Sequence, residues 1–216
     1  MYTSTSYDGA DIRIVKAQSI GALYAAPAIK VWSDATSDRT AQMWAPEIHR
    51  LNGPNGYRWY LYYTAGPSYF SGGCCGGQRT YVLESNGDDP LGPYTYKARI
   101  YDAANDGYGI DGTILQKGDG SLYFLWAGNN TANLFIASMS NPWTLSSSRV
   151  SIATPIYNWE KQYGNTNEGP SAISRNGKVF VTYSGNGCAS ADYSLGLLTA
   201  NESSNLLDAA SWTKRV

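Results

Sequence analysis

Histidine is almost missing from this chain of 216 residues, and His49 is the whole supply. A histidine-rich metal site is therefore excluded. A Ser-His-Asp triad would have to use His49, and no Gly-x-Ser-x-Gly elbow is there to present a serine. Cysteine is scarce as well. Cys74, Cys75 and Cys188 include no Cys-x-x-Cys spacing and cannot make a four-ligand zinc site alone. Charged residues are only 15% of the chain, against a usual figure of about 25%. The net charge is −1 with no Lys/Arg run, which argues against nucleic acid or a membrane surface as partner. No apolar stretch approaches the ~20 residues of a transmembrane helix.

What is abundant is Tyr and Trp, 18 and 7 against 4 Phe. Their flat apolar faces and polar edges suit stacking on polar ring-shaped ligands. The 23 Gly and 9 Pro, set among many short apolar runs, point to an all-β chain rich in turns. Low charge, few Lys and two Asn-x-Ser/Thr sequons, at Asn129 and Asn201, resemble a secreted protein, although no signal peptide opens the chain. The expected location is extracellular.

Three segments share one pattern: Pro46 to Gly66, Asp111 to Gly128 and Glu168 to Gly185. Each reads as a strand, an Asn-Gly or Asp-Gly two-residue hairpin turn, and a strongly apolar strand ending in Gly. The closing glycines stand 62 and 57 residues apart. Third strands follow at Arg79–Glu84, Asn133–Ser138 and Tyr193–Leu198, and short fourth strands at Tyr94–Lys97, Trp143–Leu145 and Trp212–Lys214. Four antiparallel strands per repeat of this length predict a β-propeller with one repeat per blade; a β-sandwich lacks such a period. Tyr2–Ser6, Ile12–Lys16 and Ile29–Trp32 read as a first blade without its first strand. The expectation is one incomplete propeller domain over 1–216, with a partial blade about 1–40 and complete blades about 41–105, 106–160 and 161–216. The first strand of its first blade, and its last blade, would lie beyond the chain.

Each repeat carries a carboxylate near the start of its first strand: Glu47, Asp111 and Glu168. First strands are innermost in a propeller blade, so matched positions would turn these groups toward a shared hollow with aromatic walls. There one pKa is raised and another stays low. Converging carboxylates with no histidine partner fit glycoside hydrolysis, in which one acid protonates the leaving oxygen.

The segments Trp44-Ala-Pro-Glu47, Gly109-Ile-Asp-Gly-Thr113 and Asn167-Glu-Gly-Pro170, in this order, resemble glycoside hydrolase family 43. That resemblance implies a five-bladed β-propeller of inverting enzymes acting on arabinose- and xylose-containing polysaccharides. The stretch from Cys74 to Pro93, with Gln78-Arg-Thr-Tyr-Val-Leu-Glu-Ser85, is more similar to the exo-acting α-L-arabinofuranosidases than to the xylosidases. The resemblance makes Glu168 the general acid and Asp111 the carboxylate that orients it and tunes its pKa. It matches no residue here to the general base, which the repeat places before Met1; this chain alone is then expected to be inactive or nearly so. Glu47 and His49 read as structural. Trp44, Tyr108 and Asn167, in or beside the motifs, are the candidate substrate-binding residues, Trp44 being equally a core residue.

The expected substrate is plant cell-wall polysaccharide or an arabino-oligosaccharide. The alternatives are a β-xylosidase, an endo-arabinanase or a sugar-binding propeller without catalysis. No cofactor is needed. A central ion is part of the resemblance, with ligands coming largely from the last blade, beyond this chain. For the cysteines, a vicinal Cys74–Cys75 disulfide and a bridge from one of them to Cys188 both stay open.

Overall fold

The computed structural model describes residues 1–67, 76–128 and 133–215. Sixteen strands form four antiparallel sheets: β1 Tyr2–Tyr7, β2 Asp11–Lys16, β3 Ala28–Trp32, β4 Ala41–Gly53, β5 Gly56–Gly66, β6 Arg79–Ser85, β7 Tyr94–Ile100, β8 Gly109–Gln116, β9 Leu122–Gly128, β10 Asn133–Asn141, β11 Thr144–Leu145, β12 Val150–Ala153, β13 Asn167–Arg175, β14 Lys178–Gly185, β15 Ser194–Asn201 and β16 Thr213–Arg215. The sheet orders are β1-β2-β3, β4-β5-β6-β7, β8-β9-β10-β11 and β13-β14-β15-β16. The fold is all-β, and the sheets are propeller blades, the first with three strands, as the repeat predicts. The blade that starts with β8 departs from the four-strand rule, because β12 also pairs with β10. Among the described residues no helix is long and apolar enough to cross a membrane.

The chain divides into two compact units, Met1–Ile100 with Asn141–Trp143, and Tyr101–Ser140 with Thr144–Val216. In the first, β1 lies along β4, where Ser4 and Ser6 hydroxyls donate to the Pro46 and Met43 carbonyls. Its core gathers Ile12, Ile14, Met43, Leu61, Tyr63 and Leu83. In the second, β8 lies along β13, and Phe124, Trp126 and Phe135 stack in series, with centroids 5.4 and 5.7 Å apart. The middle strands β5, β6, β9 and β10 carry continuous buried runs because both their faces are covered, whereas β14 and β15 of the last blade alternate buried and more exposed residues.

The hairpin turns differ from the sequence expectation. Of the three turns expected from the repeats, only Asn176-Gly177 has both residues at positive φ, 53° and 74°, between the paired Arg175 and Lys178, as a type I′ turn requires. Gly53 pairs with Gly56, so the central residues there are Pro54 and Asn55. Proline's ring fixes φ near −65° and forbids the I′ geometry. The third hairpin runs from Gln116 to Leu122 through a longer loop.

Each unit holds one buried network of the same make. Tyr60 on β5 donates to Glu84 at 2.8 Å, and Lys97 on β7 donates to the same carboxylate at 2.7 Å. Tyr183 on β14 donates to Glu160 at 2.9 Å, and Lys214 on β16 pairs with it. In both, a lysine on the fourth strand ties that strand inward to a carboxylate.

Candidate active site

The three motifs fold as one device, a β-bulge near the start of a first strand. Trp44 faces Thr64 and Glu47 faces Tyr62; Ile110 faces Ala127 and Thr113 faces Leu125; Glu168 faces Ser184 and Ser171 faces Thr182. In each, two residues oppose one. The first bulged residue has positive φ every time: Ala45 at 42°, Asp111 at 55° and Gly169 at 60°. A bulge of this kind bends the strand and re-aims its side chains.

This register corrects the equivalence drawn from sequence. Glu168 is the residue before its bulge, Asp111 the first residue within its bulge, and Glu47 the residue after. Structurally, Asp111 matches Gly169 and Ala45, while Glu168 matches Ile110 and Trp44. Counting back from the closing glycines failed because the hairpins differ in the length of their paired strands as well as of their loops.

Asp111 and Glu168 are nonetheless brought together in the second unit. The backbone N–H of Gly169 donates to Asp111 Oδ2 at 3.0 Å. Asp111 therefore holds the bulge that directly follows Glu168. The left-handed backbone at Asp111 is one that aspartate tolerates better than most side chains. Glu168 is half-buried, and its Oε1 accepts from the Tyr193 hydroxyl at 2.9 Å. Burial pushes its carboxyl above the usual value, while the Tyr193 donation acts in the opposite direction. Tyr193 was not singled out from sequence as a site residue. The only signal was its position at the start of a third strand, whose geometry a linear reading cannot aim.

Tyr108, just before β8, is raised by burial and then by the charges of Asp111, Glu168 and Cys188. It therefore stands among the same groups. Asn167 is fully buried. Its amide donates to Glu160 and to the Thr166 carbonyl, both at 2.8 Å, and its Oδ1 accepts from Lys214 at 2.8 Å. That places it behind Glu168 as an anchor of the strand, linked to the Glu160–Lys214 network. Trp44 lies in the first unit, half-buried on β4. Also there, Glu47 pairs with His49 at 2.8 Å, and the imidazole packs edge-on against Tyr62 at 5.8 Å.

Among the described residues no group of three or more His, Cys, Asp or Glu is placed to hold a metal ion. Cys188 is exposed, and the bridges considered for it involve Cys74 and Cys75. Those two, like Asn129, lie outside the described residues. Asn201 is exposed at the end of β15.

The model of the family described as glycosyl hydrolases family 43 matches residues 1–216. The chain belongs to that family. It is 38% identical over 220 residues to an extracellular exo-α-(1→5)-L-arabinofuranosidase of Streptomyces avermitilis, covering 99% of this chain and 44% of that protein. A protein of the same description from Streptomyces chartreusis is 33% identical, covering 99% of this chain and 64% of the relative. This family 43 chain thus spans about half to two thirds of the length of those relatives. Among solved structures, an α-L-arabinofuranosidase from Lactobacillus brevis superposes with a TM-score of 0.87 at 30% identity, covering 99% of this chain and 68% of that one.

Proposed function

We propose that this chain is the acid-bearing part of an inverting, exo-acting α-L-arabinofuranosidase that releases arabinose from arabinan or arabinoxylan side chains outside the cell. The observation that carries the reading is Glu168. It is a half-buried carboxyl pushed upward by burial, steered by Tyr193, and set next to a backbone that Asp111 holds. A carboxyl with a raised pKa stays protonated nearer neutral pH, as a general acid must. The similarity to the exo-α-(1→5)-L-arabinofuranosidases of Streptomyces supports the arabinose assignment.

In this reading the protonated Glu168 gives its proton to the glycosidic oxygen as the bond from that oxygen to the anomeric carbon breaks. The leaving sugar departs as an alcohol. Water attacks the anomeric carbon from the opposite face, and its proton goes to a base that is assigned to no residue of this chain. Asp111 is the positioning residue: it touches the Gly169 amide and fixes the strand that aims Glu168.

The test is Glu168→Gln in the full-length protein. Turnover of an arabinobiose should fall about 10²–10⁴-fold. An aryl arabinofuranoside with a strongly acidic phenol should lose far less, since its leaving group needs no proton. Equal activity of variant and parent on arabinobiose would overturn the assignment. Activity on xylobiose alone would move the substrate to xylose.

A further inference from the structure

We propose that the buried Glu160–Lys214 ion pair aims the acid, and that Asn167 is the positioning residue through which it acts. The inference deepens the reading of Glu168 as the acid and rests on it. Three consecutive residues carry it, because each is held by a different part of the fold. The Asn167 side chain is held by Lys214 of β16 and by Glu160 of the short 3₁₀ turn Asn158–Glu160. The Glu168 carboxyl is held by Tyr193, just before β15. The Gly169 amide is held by Asp111 of β8.

Neighbouring side chains on a strand point to opposite faces. Asn167 and Glu168 are paired in regular register with Gly185 and Ser184. Asn167 is fully buried and Glu168 is half-buried, so the two form an inward anchor and an outward acid. The anchor is saturated. Its amide donates to Glu160 Oε1 and the Thr166 carbonyl, both at 2.8 Å, and its Oδ1 accepts from Lys214 Nζ at 2.8 Å. It cannot turn without leaving polar groups unpartnered in a dry site, which is costly. Fixing Asn167 therefore fixes the roll of the strand about its axis, and with it the direction in which Glu168 leaves the backbone.

The groups that hold Asn167 are themselves held. Glu160 Oε2 accepts from the Ile156 and Tyr157 amides at 2.7 and 2.8 Å, and Oε1 from the Tyr183 hydroxyl at 2.9 Å. Lys214 Nζ also donates to the Thr154 carbonyl at 2.7 Å. Opposite Asn167, Gly185 leaves room for the Trp159 ring, which a Cβ there would meet at 2.4 Å.

The first unit shows what such a network does without an acid. Glu84 accepts from Tyr60 and Lys97 as Glu160 accepts from Tyr183 and Lys214, but its amide partner is Asn55 of a hairpin turn, at 3.1 Å. Met43 and Gly109 precede Trp44 and Ile110 as Asn167 precedes Glu168, and neither has a side chain that donates a hydrogen bond. Of the three matched seats, the one with a polar anchor is the one beside the acid. A buried ion pair adds little stability over apolar packing, so direction is what this link supplies.

Two substrates test this on the full-length protein: α-1,5-linked arabinobiose, whose leaving oxygen needs a proton, and an aryl arabinofuranoside with a strongly acidic phenol, whose leaving group does not. The readout is the ratio of kcat on the first to kcat on the second, which a smaller amount of folded protein leaves unmoved. Asn167→Ala and Lys214→Met should each lower that ratio about ten- to a hundredfold, with KM for arabinobiose little changed. Asn167→Ser, a smaller cut, decides in the same way if either change prevents folding. Lys97→Met makes the matching cut in the first unit and should lower stability while leaving the ratio as it is. A ratio unchanged in the folded Asn167 variant overturns the proposal, and so does an equal fall in Lys97→Met. A ratio unchanged in Glu168→Gln overturns the acid reading, and the aiming role with it.

Discussion

The backbone amide of Gly169 donates to Oδ2 of Asp111 at 3.0 Å, so one blade's bulge is tied to the next by a side chain that the neighbouring bulge presents. Both residues are the first in their bulges, and both have left-handed backbone. Gly169 supplies the backbone N–H and Asp111 the acceptor.

Substitution at Asp111 separates its two tasks. Asp111→Ala loses the acceptor and places alanine in left-handed backbone, for a loss of about 1–3 kcal/mol. Asp111→Asn keeps a carbonyl acceptor and tolerates that backbone, so it should cost clearly less. Urea denaturation of the three proteins gives the order: parent, then Asn, then Ala. Equal stability of the Ala and Asn variants would refute it.

Tyr193→Phe removes the hydroxyl that donates to Glu168. That donation stabilises the carboxylate, so its loss raises the carboxyl further. The acid then stays protonated to higher pH. The alkaline limb of the kcat/KM profile should move to higher pH, whereas a purely structural defect would lower the whole profile without moving that limb.

Glu160 is fully buried. Burial pushes its carboxyl up, but donation from Lys214, the Tyr157 amide, Asn167 and Tyr183 outweighs it and holds the carboxyl below its usual range. Its stabilising contribution is therefore complete above the unfolded value of about 4.3 and is lost as pH falls through the lower folded value. Lys214→Met leaves this carboxylate buried without its cation and should cost about 3–5 kcal/mol. It should also weaken the fall in stability on acidification, which denaturant midpoints measured at several acidic pH values would reveal.

Gly196→Ala should destabilise the last blade by about 1–3 kcal/mol. A Cβ at Gly196 would run into the ring and hydroxyl of Tyr183, a fully buried side chain pinned by its bond to Glu160. A thermal midpoint equal to the parent's would show that the tyrosine can move aside.

Much of the strand plan was legible in the sequence, since hairpins between apolar runs such as Tyr60–Ala65 and Val179–Tyr183 announce themselves by composition. The pairing of Asp111 with the Glu168 motif was legible as a convergence but not as a geometry. The paired length between bulge and turn differs from hairpin to hairpin, so counting could not show that Asp111 corresponds to Gly169. Pro54 was a readable signal that the first turn differs from Asn176-Gly177, and the Asn-Gly pair beside it masked that signal. The partners Tyr193 and Glu168, or Glu160 and Lys214, are far apart along the chain, and only the folded sheet determines that they meet.

The repeated kink does not depend on charge at its opening residue. Ala45, Asp111 and Gly169 occupy equivalent seats, yet only Asp111 presents a carboxylate there. The kink therefore forms with or without a charged side chain at its first residue, and what that residue adds is a contact to the neighbouring blade.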